Sequence, residues 1–191
     1  MKSIKGSRTE KNLLASFAGE SQARTRYSIF AGVARKEGYV QIANIFDETA
    51  QQELAHAKRF FSYLEGGKLG VDGMYPAGVI GDTLANLREA ADGEHEEWGG
   101  LYPENARIAR EEGFEEIAVL WERVCVAEKQ HEKRYNDLWT NLSEGRVFKR
   151  DGVMIWRCLN CGYIHEATEA PKICPACRHP MAYFELLGEN W

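Results

Sequence analysis

The sequence has no apolar stretch long enough to cross a membrane, and its first residues do not resemble a signal peptide. Met1 to Ser21 is interrupted by Lys2, Lys5, Arg8, Glu10, Lys11 and Glu20. A cytoplasmic protein with no membrane partner is therefore expected. Basic clusters are also absent, and the net charge of −5 argues against nucleic acid as a partner. Cysteine is scarce outside one short region: four of the five fall in a C-terminal cluster. In a reducing cytosol that spacing reads as metal ligation rather than disulfide bonding. What remains suits a globular chain, 44% hydrophobic and 28% charged, and 191 residues leave room for one good-sized domain and a small one.

A helical period runs from about Thr9 to Glu37, with Leu13, Phe17, Glu20, Tyr27 and Ala31 on one face. Gly38 ends it, and a second helix is expected from about Tyr39 to Glu65, closed by Gly66 and Gly67. The segment from Gly66 to Gly78 holds five glycines and Pro76, too long for a tight turn. Extended, it reaches about 43 Å, enough to run the length of a bundle. A third helix is expected over about Val79 to Glu112, kinked at Pro103, and a fourth over about Phe114 to Leu142.

The second and fourth stretches carry matching seams: Ile42, Phe46, Thr49, Glu53, His56, Phe60, Tyr63 and Ile117, Trp121, Val124, Glu128, His131, Tyr135, Leu138. Each contains a Glu-x-x-His, which puts a carboxylate and an imidazole on one helix face, one turn apart. Burying such groups unpartnered costs several kcal/mol each, roughly, so two pairs on core faces call for a shared cation.

The two halves repeat. Ala34-Arg35-Lys36-Glu37-Gly38 recurs as Ala109-Arg110-Glu111-Glu112-Gly113, an offset of 113 − 38 = 75, and the same offset takes Glu53 to Glu128 and His56 to His131. Gly19-Glu20 maps to Gly93-Glu94 at 94 − 20 = 74, whereas Tyr27 maps to Tyr102 at 75. One extra residue has entered between Glu94 and Tyr102, and a helix usually absorbs it as a π-bulge.

Two helix pairs joined by a long crossover make an all-α four-helix bundle of the ferritin-like kind. Its metal ligands are one Glu from each of two helices and a Glu-x-x-His from each of the others. Here these are Glu20, Glu94, Glu53 with His56, and Glu128 with His131. Four carboxylates and two imidazoles suit two iron or manganese ions better than zinc. Glu97 lies one turn beyond Glu94 and is either a seventh ligand or a solvated carboxylate. Tyr27 and Tyr102 share the ligands' register, as hydrogen-bond donors to carboxylates or as core aromatics.

After Leu142, Ser143-Glu144-Gly145 reads as a linker. Cys158-x-x-Cys161 and Cys174-x-x-Cys177 then make a tetrahedral sulfur site for zinc or a single iron, in a segment too small to fold well without it. The boundary expected is 1–146 for the bundle and 147–191 for a small metal-stabilised β domain. Cys125 reads as packing, and His165 and His179 as surface residues.

Cys161-Gly162-Tyr163 and Cys174-Pro175-Ala176-Cys177 resemble the two knuckles of rubredoxin, with a much shorter interval between the pairs. A ferritin-like bundle carrying Glu-x-x-His twice, followed by a rubredoxin-like tail, resembles the rubrerythrin family over nearly the whole chain. The resemblance implies a non-haem diiron centre bridged by Glu53 and Glu128, with Glu20, Glu94 and His131 as further ligands. It also implies that Glu97 and His56 exchange on one iron with oxidation state, and that one iron sits on the four cysteines. The activity implied is reduction of hydrogen peroxide to water in oxidative-stress protection, with electrons relayed by the tail from a donor protein, a rubredoxin or a reductase, in a homodimer. An iron-oxidising storage protein (a ferroxidase) and a non-redox interaction protein with zinc in the tail remain as the alternatives.

Overall fold

The computed structural model describes residues 2–189. Its helices are α1 (Arg8–Glu37), α2 (Val40–Phe61), α3 (Thr83–Glu96), α4 (Tyr102–Glu111) and α5 (Glu115–Ser143), and a π-helical turn, Glu97–Leu101, joins α3 to α4 as one run. The π turn lies where the repeat offset changes: Tyr102 N donates to Glu97 O, one residue further back than in an α-helix. Pro103 follows at once. Having no N–H, it interrupts nothing more, so the proline and the widened turn share one irregularity.

The same physics ends α1 and α4. Gly38 (φ 88°) and Gly113 (φ 81°) adopt the left-handed conformation. There Tyr39 N reaches Ala34 O and Phe114 N reaches Ala109 O, both at 2.8 Å. Those bonds close the last helical carbonyls, which is why the glycine recurs with the repeat. At the other end of α1, Ser7 Oγ accepts from Glu10 N while the Glu10 carboxylate accepts from Gly6 N at 2.7 Å.

The connection between α2 and α3 is longer than the sequence pattern suggests, Ser62 to Asp82. The second helix stops at Phe61 rather than near Glu65, because Tyr63 and Leu64 turn back onto the carbonyls of Phe60 and Phe61. The third starts at Thr83 rather than Val79, because the Asp82 side chain caps it by accepting from Ala85 N at 2.8 Å. Just before it, the Asn86 amide bonds both Gly81 N and Gly81 O. The strap thus returns α3 to the end of the bundle where α2 begins, and α1 packs along α2 while the α3–α4 run packs along α5.

Two buried clusters fill the bundle. One gathers Tyr27, Phe30, Phe46 and Tyr135, the other Phe60, Tyr102 and Trp121. Along α2 and α5 the Glu-x-x-His pairs fall between them. Beyond α5 come β1 (Lys149–Cys158), β2 (Ile164–Glu169) and β3 (Phe184–Leu186), an antiparallel sheet in the order β2-β1-β3. Trp156 and Phe184 are fully buried there beside Cys158 and Cys174. The tail meets the bundle where Phe148 stacks on Tyr39, centroids 6.1 Å apart.

One device ties the halves together reciprocally. Glu112, at the end of α4, accepts from Arg8 N, Thr9 N and Thr9 Oγ1 at 2.7–3.1 Å, capping α1. Its repeat counterpart Glu37, at the end of α1, accepts from Thr83 N at 2.9 Å, capping α3. Partial burial alone would raise the Glu112 carboxyl, but the bonds from Thr9 and Arg8 hold it down at about 2. Its contribution is therefore complete above the ordinary glutamate value and lost as the pH falls through about 2. Glu112→Ala is expected to lower unfolding stability by about 1–2 kcal/mol at pH 7, and Glu37→Ala by less, in chemical denaturation. The Glu112 difference should shrink below about pH 4.

Candidate metal centres

Glu20 comes from α1, Glu53 and His56 from α2, Glu94 from α3, and Glu128 and His131 from α5. All four carboxylates are buried, His131 is 4% exposed, and the His56 side chain is 17% exposed. Donor atoms of Glu20, Glu53, His56 and Glu128 lie within 4.8 Å of one another, and so do those of Glu53, Glu94, Glu128 and His131. Glu53 and Glu128 belong to both groups. The two groups therefore share these two carboxylates, and each adds one further carboxylate and one imidazole. His56 Nδ1 is 3.1 Å from Glu53 and 3.0 Å from Glu128, and His131 Nδ1 is 3.1 Å from Glu53 and 2.8 Å from Glu128.

The donor set fits metal ions. Glu20 Oε2, Glu53 Oε1, Glu94 Oε2, both Glu128 oxygens and His131 Nδ1 are buried without a well-aligned hydrogen bond, their polar neighbours being one another and His56. A native interior tolerates few such orphans, and here they converge. The outer carboxylate oxygens are occupied: Tyr27 donates to Glu94 Oε1 and Tyr102 to Glu20 Oε1, each at 2.6 Å. Burial, together with the charge of Glu94 for Tyr27 and of Glu20 for Tyr102, keeps both phenols well above their usual range, so they stay protonated and donate. These crossed bonds, helix α1 to α3 and α4 to α1, fix which carboxylate oxygens face inward.

The halves differ in what stands behind the histidines. His131 Nε2 lies 3.0 Å from Gln52 Oε1, which also faces Arg134. The offset of 75 takes Gln52 to Ala127, so among the described residues no such partner backs His56. Gln52 stands outside the Glu-x-x-His pattern, and its only signal in the sequence is the missing counterpart in the repeat. Glu97 lies outside both four-residue groups, half-buried at the start of the π turn. Burial and the charge of Glu94, then Glu128 and Glu53, raise its carboxyl well above normal. His95 points away to Glu132, which also accepts from Trp98 Nε1 at 2.6 Å.

In the tail, Cys158 Sγ lies 3.7 Å from Cys177 Sγ, and Cys161 Sγ lies 3.7 Å from Cys174 Sγ. Four sulfurs about 2.3 Å from one ion would sit about 3.75 Å apart, so the spacing is that of a tetrahedral site. The Tyr163 amide bonds Cys161 and the His179 amide bonds Cys177. The latter holds Cys177 down at about 6, whereas Cys161, despite its amide, is pushed up to about 12 by the neighbouring cysteines. The two knuckles require the same left-handed residue after the second cysteine, Gly162 at φ 77° and Arg178 at φ 66°. Cys125 is buried in the bundle core, and His165 and His179 are partly exposed.

Without metal, the bundle cluster balances its charge with protons. Burial first, then the charge of Glu53, raises Glu94 to about 8. Burial would lower the histidines, but Glu128 and Glu53 raise His56 to about 10 and, with Glu94, His131 to about 12. Glu53, which burial alone would raise, is held at about 2 by His131 and His56, so it does not titrate near neutrality. The proton on Glu94 contributes stability that is complete below the ordinary glutamate value and lost as the pH rises through about 8. The metal-free protein should therefore melt progressively lower between about pH 5 and 9, whereas the metal-loaded protein should not. A metal-free melting temperature that rises over this range would contradict proton compensation.

Residues 11–139 match the family model described as Rubrerythrin, and residues 156–185 match that described as Rubrerythrin, rubredoxin-like domain. The chain is 61% identical to a rubrerythrin of Nitratidesulfovibrio vulgaris, over 100% of both chains. It is 57% identical to a rubrerythrin of Porphyromonas gingivalis, over 100% of this chain and 95% of the relative. A solved mixed-valence nigerythrin superposes with a TM-score of 0.62 at 31% identity, covering 98% of this chain and 90% of that one. The chain belongs to the rubrerythrin family, with a ferritin-like helical bundle for a diiron centre and a rubredoxin-like domain for one iron on four cysteines.

Proposed function

We propose that this protein is a non-haem iron peroxidase that reduces hydrogen peroxide to water, H2O2 + 2 H+ + 2 e− giving 2 H2O, as a cytoplasmic defence against oxidative stress. Bound at the carboxylate–histidine cluster, two ferrous ions would supply the two electrons that O–O cleavage consumes, and an iron held by Cys158, Cys161, Cys174 and Cys177 would return them one at a time. The labour divides between residues 1–146 and 147–191, with residues 1, 190 and 191 outside those described, in keeping with a bundle that ends at Ser143 and a sheet that begins at Lys149. A donor protein, a rubredoxin or a reductase, feeds the tail, and the working unit is a homodimer.

In this reading Glu53 and Glu128 would be shared between the two ions, Glu20, Glu94 and His131 would complete the fixed ligands, and Tyr27 and Tyr102 hold the outer carboxylate oxygens. Glu97 and His56 are the exchanging pair. The observation that carries this is the inequality of the two histidines: His131 is pinned from behind by Gln52, while His56 is the more exposed and has no such partner among the described residues. An anionic carboxylate suits the higher charge of the oxidised ion and a neutral imidazole the lower. A storage protein that oxidises iron with oxygen would use a similar cluster but has no need of the four-cysteine tail.

His131→Ala is expected to impair iron binding in both oxidation states and His56→Ala mainly in the reduced one, by iron content and titration; equal losses would refute the asymmetry. Cys158→Ser should abolish the visible sulfur–iron absorption and steady turnover with a protein donor, while the reduced bundle still consumes one equivalent of peroxide. Normal turnover in that variant would end the relay role.

A further inference from the structure

A cavity of about 380 Å³ lies between α1, the π turn and the crossover strap. One water occupies roughly 30 Å³ of liquid, so several small molecules fit. Glu97 and Tyr102 line it, and Tyr102 is the phenol bonded to Glu20. Among the described residues, four other cavities are lined by none of the candidate ligands.

Two features show that the space is built. Gly19 and Gly93 both line it, each directly preceding a candidate ligand and each standing at the same place in the repeat. Both sit inside helices without a left-handed backbone, and an added Cβ would meet only ordinary contacts, Tyr75 at 3.8 Å and Arg26 at 3.7 Å. A helix-interior glycine costs about 1 kcal/mol against alanine, yet no backbone strain or close approach demands it. What the two glycines leave is room.

The second feature is a polar wall confined to one half of the repeat. Ser16 and Asn105 line the cavity, with Trp121 Nε1 donating to Ser16 Oγ at 3.0 Å behind them. At the corresponding places in the other half stand Ala90, Phe30 and Phe46, all buried in an apolar cluster. Asn12, which also lines the cavity and whose counterpart in the other half is the likewise polar Asn86, has its Nδ2 buried without a hydrogen-bond partner. Above, Tyr75 anchors the strap by donating to Ala15 O at 3.2 Å, and Gln22 donates to Pro76 O.

We propose that this cavity is the route by which hydrogen peroxide reaches the carboxylate–histidine cluster, held open by Gly19 and Gly93 and roofed by Tyr75; the choice of peroxide rests on the peroxidase reading. The molecule is small, and it both donates and accepts hydrogen bonds, which suits a wall of hydroxyl and amide groups beside a carboxylate and a phenol. Bulky alkyl hydroperoxides would meet the roof.

The test uses the full, iron-loaded chain with iron content as a control, and reads two quantities. One is the association rate of azide with the oxidised protein, followed by its absorption; the other is the single-turnover rate of the reduced protein with hydrogen peroxide and with tert-butyl hydroperoxide. Gly19→Leu, with iron content unchanged, is expected to slow azide and hydrogen peroxide about tenfold, and Gly19→Ala, which takes up the room of one methyl group, to slow both by less. Tyr75→Ala is expected to raise the rate with tert-butyl hydroperoxide relative to hydrogen peroxide. Unchanged azide and peroxide rates in an iron-replete Gly19→Leu protein would overturn the route, as would wild-type selectivity in Tyr75→Ala. Should Gly19→Leu fail to fold or to hold iron, Tyr75→Ala decides. Slowed azide in Gly19→Leu, from a wild type that does not reduce peroxide, would leave the route standing and remove the peroxidase reading.

Discussion

Charge buried inside the bundle constrains the rest of this structure. Four glutamates and two histidines face inward where a bare charge costs several kcal/mol, roughly. Some of their oxygens are turned outward and bonded to Tyr27 and Tyr102, while the others converge without partners. Such an arrangement is stable only when cations or protons sit at the centre. The helices supply the geometry: Glu-x-x-His on α2 and α5 presents two groups per turn to the same point, and the long strap lets the two helix pairs meet around it.

Duplication accounts for most of the architecture. Glu37 and Glu112 cap each other's helix pairs, Gly38 and Gly113 end equivalent helices alike, and the two tyrosines cross between halves. The two sides of the cluster differ where the duplication is broken. Gln52 backs one histidine, and the other half has Ala127. Tyr135 on one side answers to Phe60 on the other, and the extra residue of the π turn places Glu97 where the first helix has no carboxylate. A symmetric pair of ions would be held equally, whereas this surround treats its two sides differently.

The helices, the repeat, the π turn and all ten groups of the two clusters were legible because each depends on spacing along one helix or one knuckle. Glu53 and His56 share a face whatever surrounds them, and a change of offset from 74 to 75 must be absorbed somewhere between Glu94 and Tyr102. The helix limits near Phe61 and Thr83 were misjudged because they depend on turn and cap bonds at Tyr63, Leu64 and Asp82, not on periodicity. The caps by Glu37 and Glu112 were invisible for a different reason: a carboxylate at the end of one helix finds the start of another only once the bundle is assembled. The polar wall of Ser16 and Asn105 joins residues 89 positions apart, a distance over which sequence pattern carries no signal.

The most direct measurement is a pair of crystal structures of the iron-loaded protein, one reduced and one oxidised. On oxidation, the iron on the His56 side is expected to leave that imidazole and take the Glu97 carboxylate, while the iron beside His131 keeps its ligands. Two irons that hold the same ligands in both states, with Glu97 in solvent throughout, would contradict the asymmetry on which the proposed chemistry depends.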